Sequence, residues 1–216
     1  MRSSFENYLK IIFLAEKDTG QVKPQIVANR LQISTAAVTD MFKRLSEEGF
    51  IIYSPYKGAR LTDKGIQVGR QMVRRHRIWE MYLCQALGFQ WEEVHDEAER
   101  LEHASSDGLI DRLEELLGHP DHDPHGDPIP SKEGVFPKQI ASRPLSSVAA
   151  GESVTVIRVH DFDTHFLAHL QKMGIGLGQI IVVKEILPFD GSILIEIDGK
   201  TETLSQMAST HIFVGK

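Results

Sequence analysis

This 216-residue chain is poor in features that would make it a secreted, membrane-bound or nucleotide-using protein. It has one cysteine, Cys84, so no internal disulfide can form; the thiol falls among apolar residues in MYLCQAL, which reads as a core side chain rather than a nucleophile or a ligand. No apolar stretch approaches the eighteen or more residues that spanning a bilayer requires, and the chain does not open on a basic segment followed by an apolar run and a cleavage site. The expectation is a cytoplasmic protein with no membrane partner. Walker, dinucleotide-binding and HExxH patterns are missing too, so nothing points to an organic cofactor or to a catalytic zinc helix.

Positive charge is also in deficit, with 24 Lys/Arg against 30 Asp/Glu and a net charge of −6. That balance argues against a nucleic-acid binder until it is divided by position. Residues 1–75 carry thirteen Lys/Arg against seven Asp/Glu, residues 76–216 carry eleven against twenty-three, and all ten histidines lie in the second part. A basic module suited to phosphates is therefore joined to an acidic, histidine-bearing module suited to cations.

In the basic part, Ser3 and Glu6 have capping-box spacing, and Tyr8, Leu9, Ile11, Ile12 and Ala15 recur at helical period until Gly20. Pro24 suits the first turn of a second helix, and Ser34 or Thr35 can cap a third that runs to Gly49. The LQIS turn between them is short, and the third helix opens on Ser34, Thr35, Ala36, Ala37, Thr39 and Asp40. This is the helix-turn-helix arrangement, whose second helix presents its N-terminal residues to base edges in the major groove. FIIYSPYKGARLT then reads as a two-stranded wing around a Lys57-Gly58 turn. Lys57 and Arg60 would reach the sugar-phosphate backbone, with Lys43, Arg44 and Lys64 adding charge nearby.

The acidic part opens with potential metal ligands at helical spacing. His76 and Glu80 are four residues apart, and His95, Glu99, Glu102 and His103 follow at steps of four, three and one, so each set shares a helix face. Glu-rich helices are often only solvated faces, but imidazole mixed with carboxylate is the donor set that suits first-row divalent ions. A long helix from Thr62 or Asp63 to about Leu87, a second from Trp91 to about Ser105 and a third ending at Gly118 should pack together and against a second copy of the chain. Residues 119–145 have no period and form a long connection with His122, Asp123 and His125 as concentrated donors. Beyond Leu145, SVTVIRV, QIIVVKEI, SILIEI and HIFV suggest a small, strongly bent β-barrel.

ENYLKIIF, STAAVTDMFKRLSEEGF, PYKGARLTDKG, RRHRIWEMYL, VHDEAERLEH and DPHGDPIP together resemble the diphtheria toxin repressor and manganese transport regulator family, in its long form. The resemblance implies a mainly α fold with a small β domain: a winged helix-turn-helix domain over 1–70, a helical dimerisation and metal-binding domain over 71–145, and an SH3-like barrel over 146–216. It implies an activating metal site from Glu99, Glu102 and His103, completed by the side chain at position 7, here Asn7. A second site is implied from His76, Glu80 and His95, with Asp123, His125 and one of Asp161, Asp163 or His165 as additions. The recognition residues implied are Ser34, Ala36, Thr39 and Asp40. A carboxylate at position 99, where iron-type members have Cys, is the manganese-type choice. Asn7 departs from the acidic or thioether residue of the two types, and Lys10 stands where the short manganese regulators are acidic. The expected function is a non-enzymatic, manganese-responsive repressor of metal-uptake genes that binds double-stranded operator DNA as a homodimer. Alternatives are an Fe²⁺-responsive repressor of the same family and, from another class, a metal buffer or metallo-hydrolase without DNA binding.

Overall fold

The computed structural model describes residues 2–138, 140–161 and 163–216. The chain divides into two compact units, residues 1–76, 99–112 and 130–135 in one and residues 77–98, 113–129 and 136–216 in the other.

The first unit opens with α1 (Arg2–Thr19), which begins before Ser3, so that residue lies inside the helix. The Ser3 side chain, and with it the expected capping box, lies outside the described residues. The apolar period of α1 buries Leu9, Ile12 and Phe13. Helix α2 (Pro24–Leu31) starts on its proline and ends at Gln32 in the left-handed region, φ 53°. Helix α3 (Thr35–Glu47) is capped by Ser34, whose hydroxyl accepts from the Ala37 N–H at 3.2 Å, and Val38, Phe42 and Leu45 form its buried stripe. Strands β1 (Ile51–Ser54) and β2 (Gly58–Leu61) pair antiparallel.

The wing turn differs from the expected one in that Tyr56, not a glycine, takes the left-handed position, with φ 67°. Gly58 instead serves close approach. Val22 and Ala59 exchange two backbone hydrogen bonds of 2.9 Å, and a Cβ on Gly58, at φ +109°, would lie 2.7 Å from the Val22 carbonyl oxygen. Helix α4 (Asp63–Leu87) contributes its first half to this unit. A Cβ on Gly69 would stand 2.7 Å from Phe13 Cβ and 2.8 Å from the Leu9 carbonyl oxygen, so α1 and α4 meet with no side-chain layer between them at that point. Helix α6 (Asp107–Leu116) begins here too, tied by Arg75 to Asp107 at 2.7 Å and by Arg74 to Asp111 at 2.9 Å.

The second unit holds the rest of α4, the first part of α5 (Trp91–Glu102) and a six-stranded antiparallel sheet in the order β3-β8-β4-β5-β6-β7. Its strands are β3 (Arg143–Pro144), β4 (Ser153–Val159), β5 (Ile180–Ile186), β6 (Ile193–Ile197), β7 (Lys200–Leu204) and β8 (Ile212–Gly215). Helices α7 (Thr164–Lys172) and α8 (Gln206–Thr210) close over a core that includes Val154, Val156, Leu167, Leu170, Ile181, Ile195 and Val214. Register shifts in β4 and β5 bend the sheet.

The connection after α6 is tightly organised rather than loose. Asp123 Oδ1 accepts from the backbone N–H groups of His125 and Asp127, both at 2.9 Å, and the His125 carbonyl accepts from Val159 N–H of β4 at 2.9 Å. Among the described residues no helix is long and apolar enough to cross a membrane.

Candidate metal centres and nucleic-acid interface

Among the described residues, each unit holds a cluster of donors. In the first, the face of α1 bearing Asn7 and Lys10 meets the end of α5. Glu102 is wholly buried, and its position on α5 follows from the same helical face that places Glu99 one turn earlier. The donor atoms of His76, Glu99 and Glu102 lie within 4.8 Å of one another. Lys10 Nζ sits among them, 2.8 Å from Glu99 Oε2, 2.7 and 2.9 Å from the two Glu102 oxygens and 3.3 Å from His76 Nδ1. An ammonium has three N–H donors, and three carboxylate oxygens are there to take them. His76 Nδ1 is 2.6 Å from Glu102 Oε2, a contact that requires the proton on that nitrogen, so His76 donates to Glu102 and does not accept from Lys10.

Two buried atoms on the flank of this cluster, Asn7 Oδ1 and His103 Nε2, make no hydrogen bond. Asn7 Nδ2 donates to Glu99 Oε1 at 2.8 Å, which leaves the amide oxygen available. His103 Nδ1 donates to Glu6 Oε2 at 2.9 Å, which leaves its Nε2 lone pair available, 3.5 Å from Glu102 Oε1. A carboxylate holding one imidazole nitrogen so that the other faces a cation is the usual outer support of a metal-bound histidine. Asn7 Oδ1 and His103 Nε2 are thus available to a cation beside Glu99 and Glu102, whereas the donor atoms that converge within 4.8 Å are those of His76, Glu99 and Glu102.

The second cluster has the same logic. Donor atoms of Glu80, His125 and Asp161 lie within 4.8 Å of one another. His125 is wholly buried; its Nε2 reaches the Trp91 carbonyl at 3.3 Å, and its Nδ1 makes no hydrogen bond. His95 Nδ1 is 3.4 Å from Glu80 Oε1. Asp123 is also enclosed, with Arg77 Nε 3.2 Å away. Burial pushes the Asp123 carboxyl well above the ordinary range against the pull of Arg77, and Glu80, Asp127 and Asp161 push the same way. Of the three residues that sequence reading left equivalent, Asp161 is the one gathered with Glu80 and His125. Asp163 caps α7 through the backbone N–H groups of His165 and Phe166, and His165 is exposed on that helix. Cys84 is half-buried, and burial together with Glu80 pushes its thiol up, away from nucleophilic use.

Sequence reading missed one residue here, Glu6, and named a second, Lys10, without its role. Glu6 carries no signal beyond its place in a helix, since its role needs a histidine 97 positions away. Lys10 was visible only as a departure from an acidic pattern.

On the winged helix, Thr35, Ala36 and Ala37 are exposed at the start of α3. Ser34 is engaged as the cap, Thr39 Oγ1 donates to the Thr35 carbonyl at 2.8 Å, and Asp40 pairs with Lys43 at 3.1 Å on the exposed face. Arg44 lies over the Phe5 ring and Lys64 over the Phe50 ring. Lys57 and fully exposed Tyr56 form the wing tip, and Arg60, also exposed, is 3.9 Å from Glu16.

Comparison with known proteins gives this geometry a family. Residues 1–59 match the N-terminal DNA-binding domain of iron-dependent repressors, residues 62–131 their metal-binding and dimerisation domain, and residues 143–216 the FeoA domain. An HTH-type transcriptional regulator of Methanocaldococcus jannaschii is 37% identical over 114 residues, covering 52% of this chain and 91% of the relative. The iron-dependent repressor IdeR of Mycobacterium tuberculosis is 32% identical over 158 residues, covering 70% of this chain and 69% of IdeR. A solved manganese-dependent transcriptional repressor in complex with manganese superposes with a TM-score of 0.88 at 37% identity, covering 97% of this chain and 98% of that one. From its winged helix to its SH3-like domain, this chain belongs to the diphtheria toxin repressor and manganese transport regulator family of metal-dependent transcriptional repressors.

Proposed function

We propose that this chain is a manganese-responsive repressor that acts in the cytoplasm as a homodimer on double-stranded operator DNA of metal-uptake genes. The observation that carries the choice of metal is the donor set around Glu102. It offers two carboxylates, an amide oxygen and one imidazole, with no thiol, and hard oxygen donors suit Mn²⁺ better than softer ions. The solved relative that holds manganese supports this reading. The similarity to IdeR keeps Fe²⁺ as the alternative effector. Because affinity alone ranks Mn²⁺ below Fe²⁺, selectivity rests on geometry and supply.

The three matched segments, residues 1–59, 62–131 and 143–216, support a division into DNA-binding, dimerisation and SH3-like domains, with the first change-over nearer residue 60 than the expected 70. A divalent ion held by Asn7, Glu99, Glu102 and His103 would supply a cross-link between α1 and the end of α5. Asn7 contributes the α1 side of that link, Lys10 neutralises part of the charge on Glu99 and Glu102, Glu6 orients His103, and His76 orients Glu102. The cross-link favours a DNA-competent arrangement only as far as the ion binds it more tightly, and a swing from 1:99 to 99:1 takes about 5.5 kcal/mol. In a C2 dimer the two α3 helices would enter major grooves about 34 Å apart. Enclosed donors on packed helices suit a structural switch better than hydrolysis, which needs an open coordination position.

The test is fluorescence anisotropy on the promoter of a manganese transporter from the source genome, with Mn²⁺, anaerobic Fe²⁺, Zn²⁺ or chelator. Tight binding with Mn²⁺ that chelator abolishes supports the proposal. A stronger Fe²⁺ response moves the chain to the iron branch, and metal-independent behaviour refutes the switch.

A further inference from the structure

The cluster around Glu102 contains two places for positive charge, and one of them already holds it. Glu99 and Glu102 each present oxygen to Lys10 Nζ on one side. On the other, Glu99 Oε1 meets the Asn7 amide, and Glu102 Oε1, which also accepts from Lys10 at 2.7 Å, lies 3.5 Å from His103 Nε2 and so is shared between the two places. The Lys10 side is the more compact: His76, Glu99 and Glu102 are the three residues whose donor atoms converge tightly enough for one ion, and the ammonium lies among them. The orphaned buried donors, Asn7 Oδ1 and His103 Nε2, lie outside its shell.

We propose that Lys10 is a tethered cation that permanently fills the second position of what would otherwise be a two-metal centre, restricting it to a single ion on the Asn7–His103 side. This rests on the metal reading of the site given above. Carboxylates that bridge two cations commonly hold them about 3.5–4 Å apart. Here one cation comes with the polypeptide. With Lys10 present, Glu99 and Glu102 carry one net negative charge, enough to draw one divalent ion but not two. Without it they carry two, and the compact donor set of His76, Glu99 and Glu102 is open to a second ion.

The deciding experiment loads the full chain and its Lys10→Gln and Lys10→Arg variants with Mn²⁺ alone, counts bound ions by native mass spectrometry and records electron paramagnetic resonance spectra. The unsubstituted chain and Lys10→Arg should show only isolated Mn²⁺ spins. Lys10→Gln should bind one further ion per chain, and that ion should appear as a spin-coupled pair. An unchanged count with tighter binding in Lys10→Gln would mean that the ammonium and the metal compete for one position, and would overturn the proposal. A coupled pair in the unsubstituted chain would overturn it too, and that arm does not depend on either variant folding. Failure of the underlying metal reading looks different, because the unsubstituted chain would then take up no Mn²⁺ at this centre and its DNA binding would ignore metal.

Discussion

His103 donates its Nδ1 proton to Glu6 across 2.9 Å, so a carboxylate near the start of the chain fixes which nitrogen of a distant imidazole is free. The opposite nitrogen is buried without a hydrogen bond, and it faces Glu102. Glu6→Gln removes the charge that holds this tautomer. We expect Mn²⁺ affinity to fall about 10–100-fold by isothermal titration, with the far-ultraviolet circular dichroism unchanged. Unaltered affinity would take Glu6 out of the centre.

Glu102 and His103 are neighbours, yet their loss should differ in kind. Glu102 is the buried partner of both Lys10 and His76, so Glu102→Ala takes two of the three carboxylate oxygens from a buried ammonium, leaves it to Glu99, and should cost about 1–3 kcal/mol of stability in the metal-free protein. His103→Ala removes a flanking donor and should leave the melting temperature nearly intact while abolishing metal-stimulated DNA binding. Thermal melts paired with anisotropy on both variants check the distinction.

Arg60 projects from β2 with a largely exposed side chain, and the carboxylate of Glu16 at 3.9 Å is too far to hold it firmly. Arg60→Ala should weaken binding to all DNA sequences alike and reduce the slope of log K against log salt by about one. A variant that loses affinity for one sequence only would mean that Arg60 reads bases.

Asp111 accepts from Lys132 and from Arg74, and these bonds, Lys132 first, hold its carboxyl below the ordinary 3.8. The unfolded chain therefore takes up the proton at higher pH than the folded one. The contribution of Asp111 is complete above the unfolded value and is lost as pH falls through the folded one. Urea unfolding between about pH 5 and 3 should show a shallower acid-side decline for Asp111→Asn than for the unsubstituted chain.

The helices of the first unit were legible in the sequence because each carries its own punctuation: Pro24 opens α2, Ser34 caps α3, and Leu9, Ile12 and Phe13 keep a 3.6-residue period. Four of the strands in the second unit were legible as short β-branched runs. Strand β7 was not, since KTETL is mostly exposed and has no apolar alternation to display. Helix α7 is nine residues long and is announced only by its Asp163 cap, which in sequence looked equally suited to metal binding. Helical spacing brought Glu99, Glu102 and His103 into view as a group. It could not show that Asp161 rather than Asp163 stands by His125, because that depends on how β4 pairs with the connection through Val159 and His125. Nor could spacing reveal Lys10 among the acids, because its contacts span 66 to 92 residues.

Lys10 also bears on how such a centre endures famine. A chelator can strip a bound metal, but it cannot remove a side chain, so Glu102 keeps a positive partner whatever the supply of ions. The emptied centre is then spared the mutual repulsion of two enclosed carboxylates. The chain can wait for metal in a folded state, and the response to its return becomes a docking event rather than a refolding one.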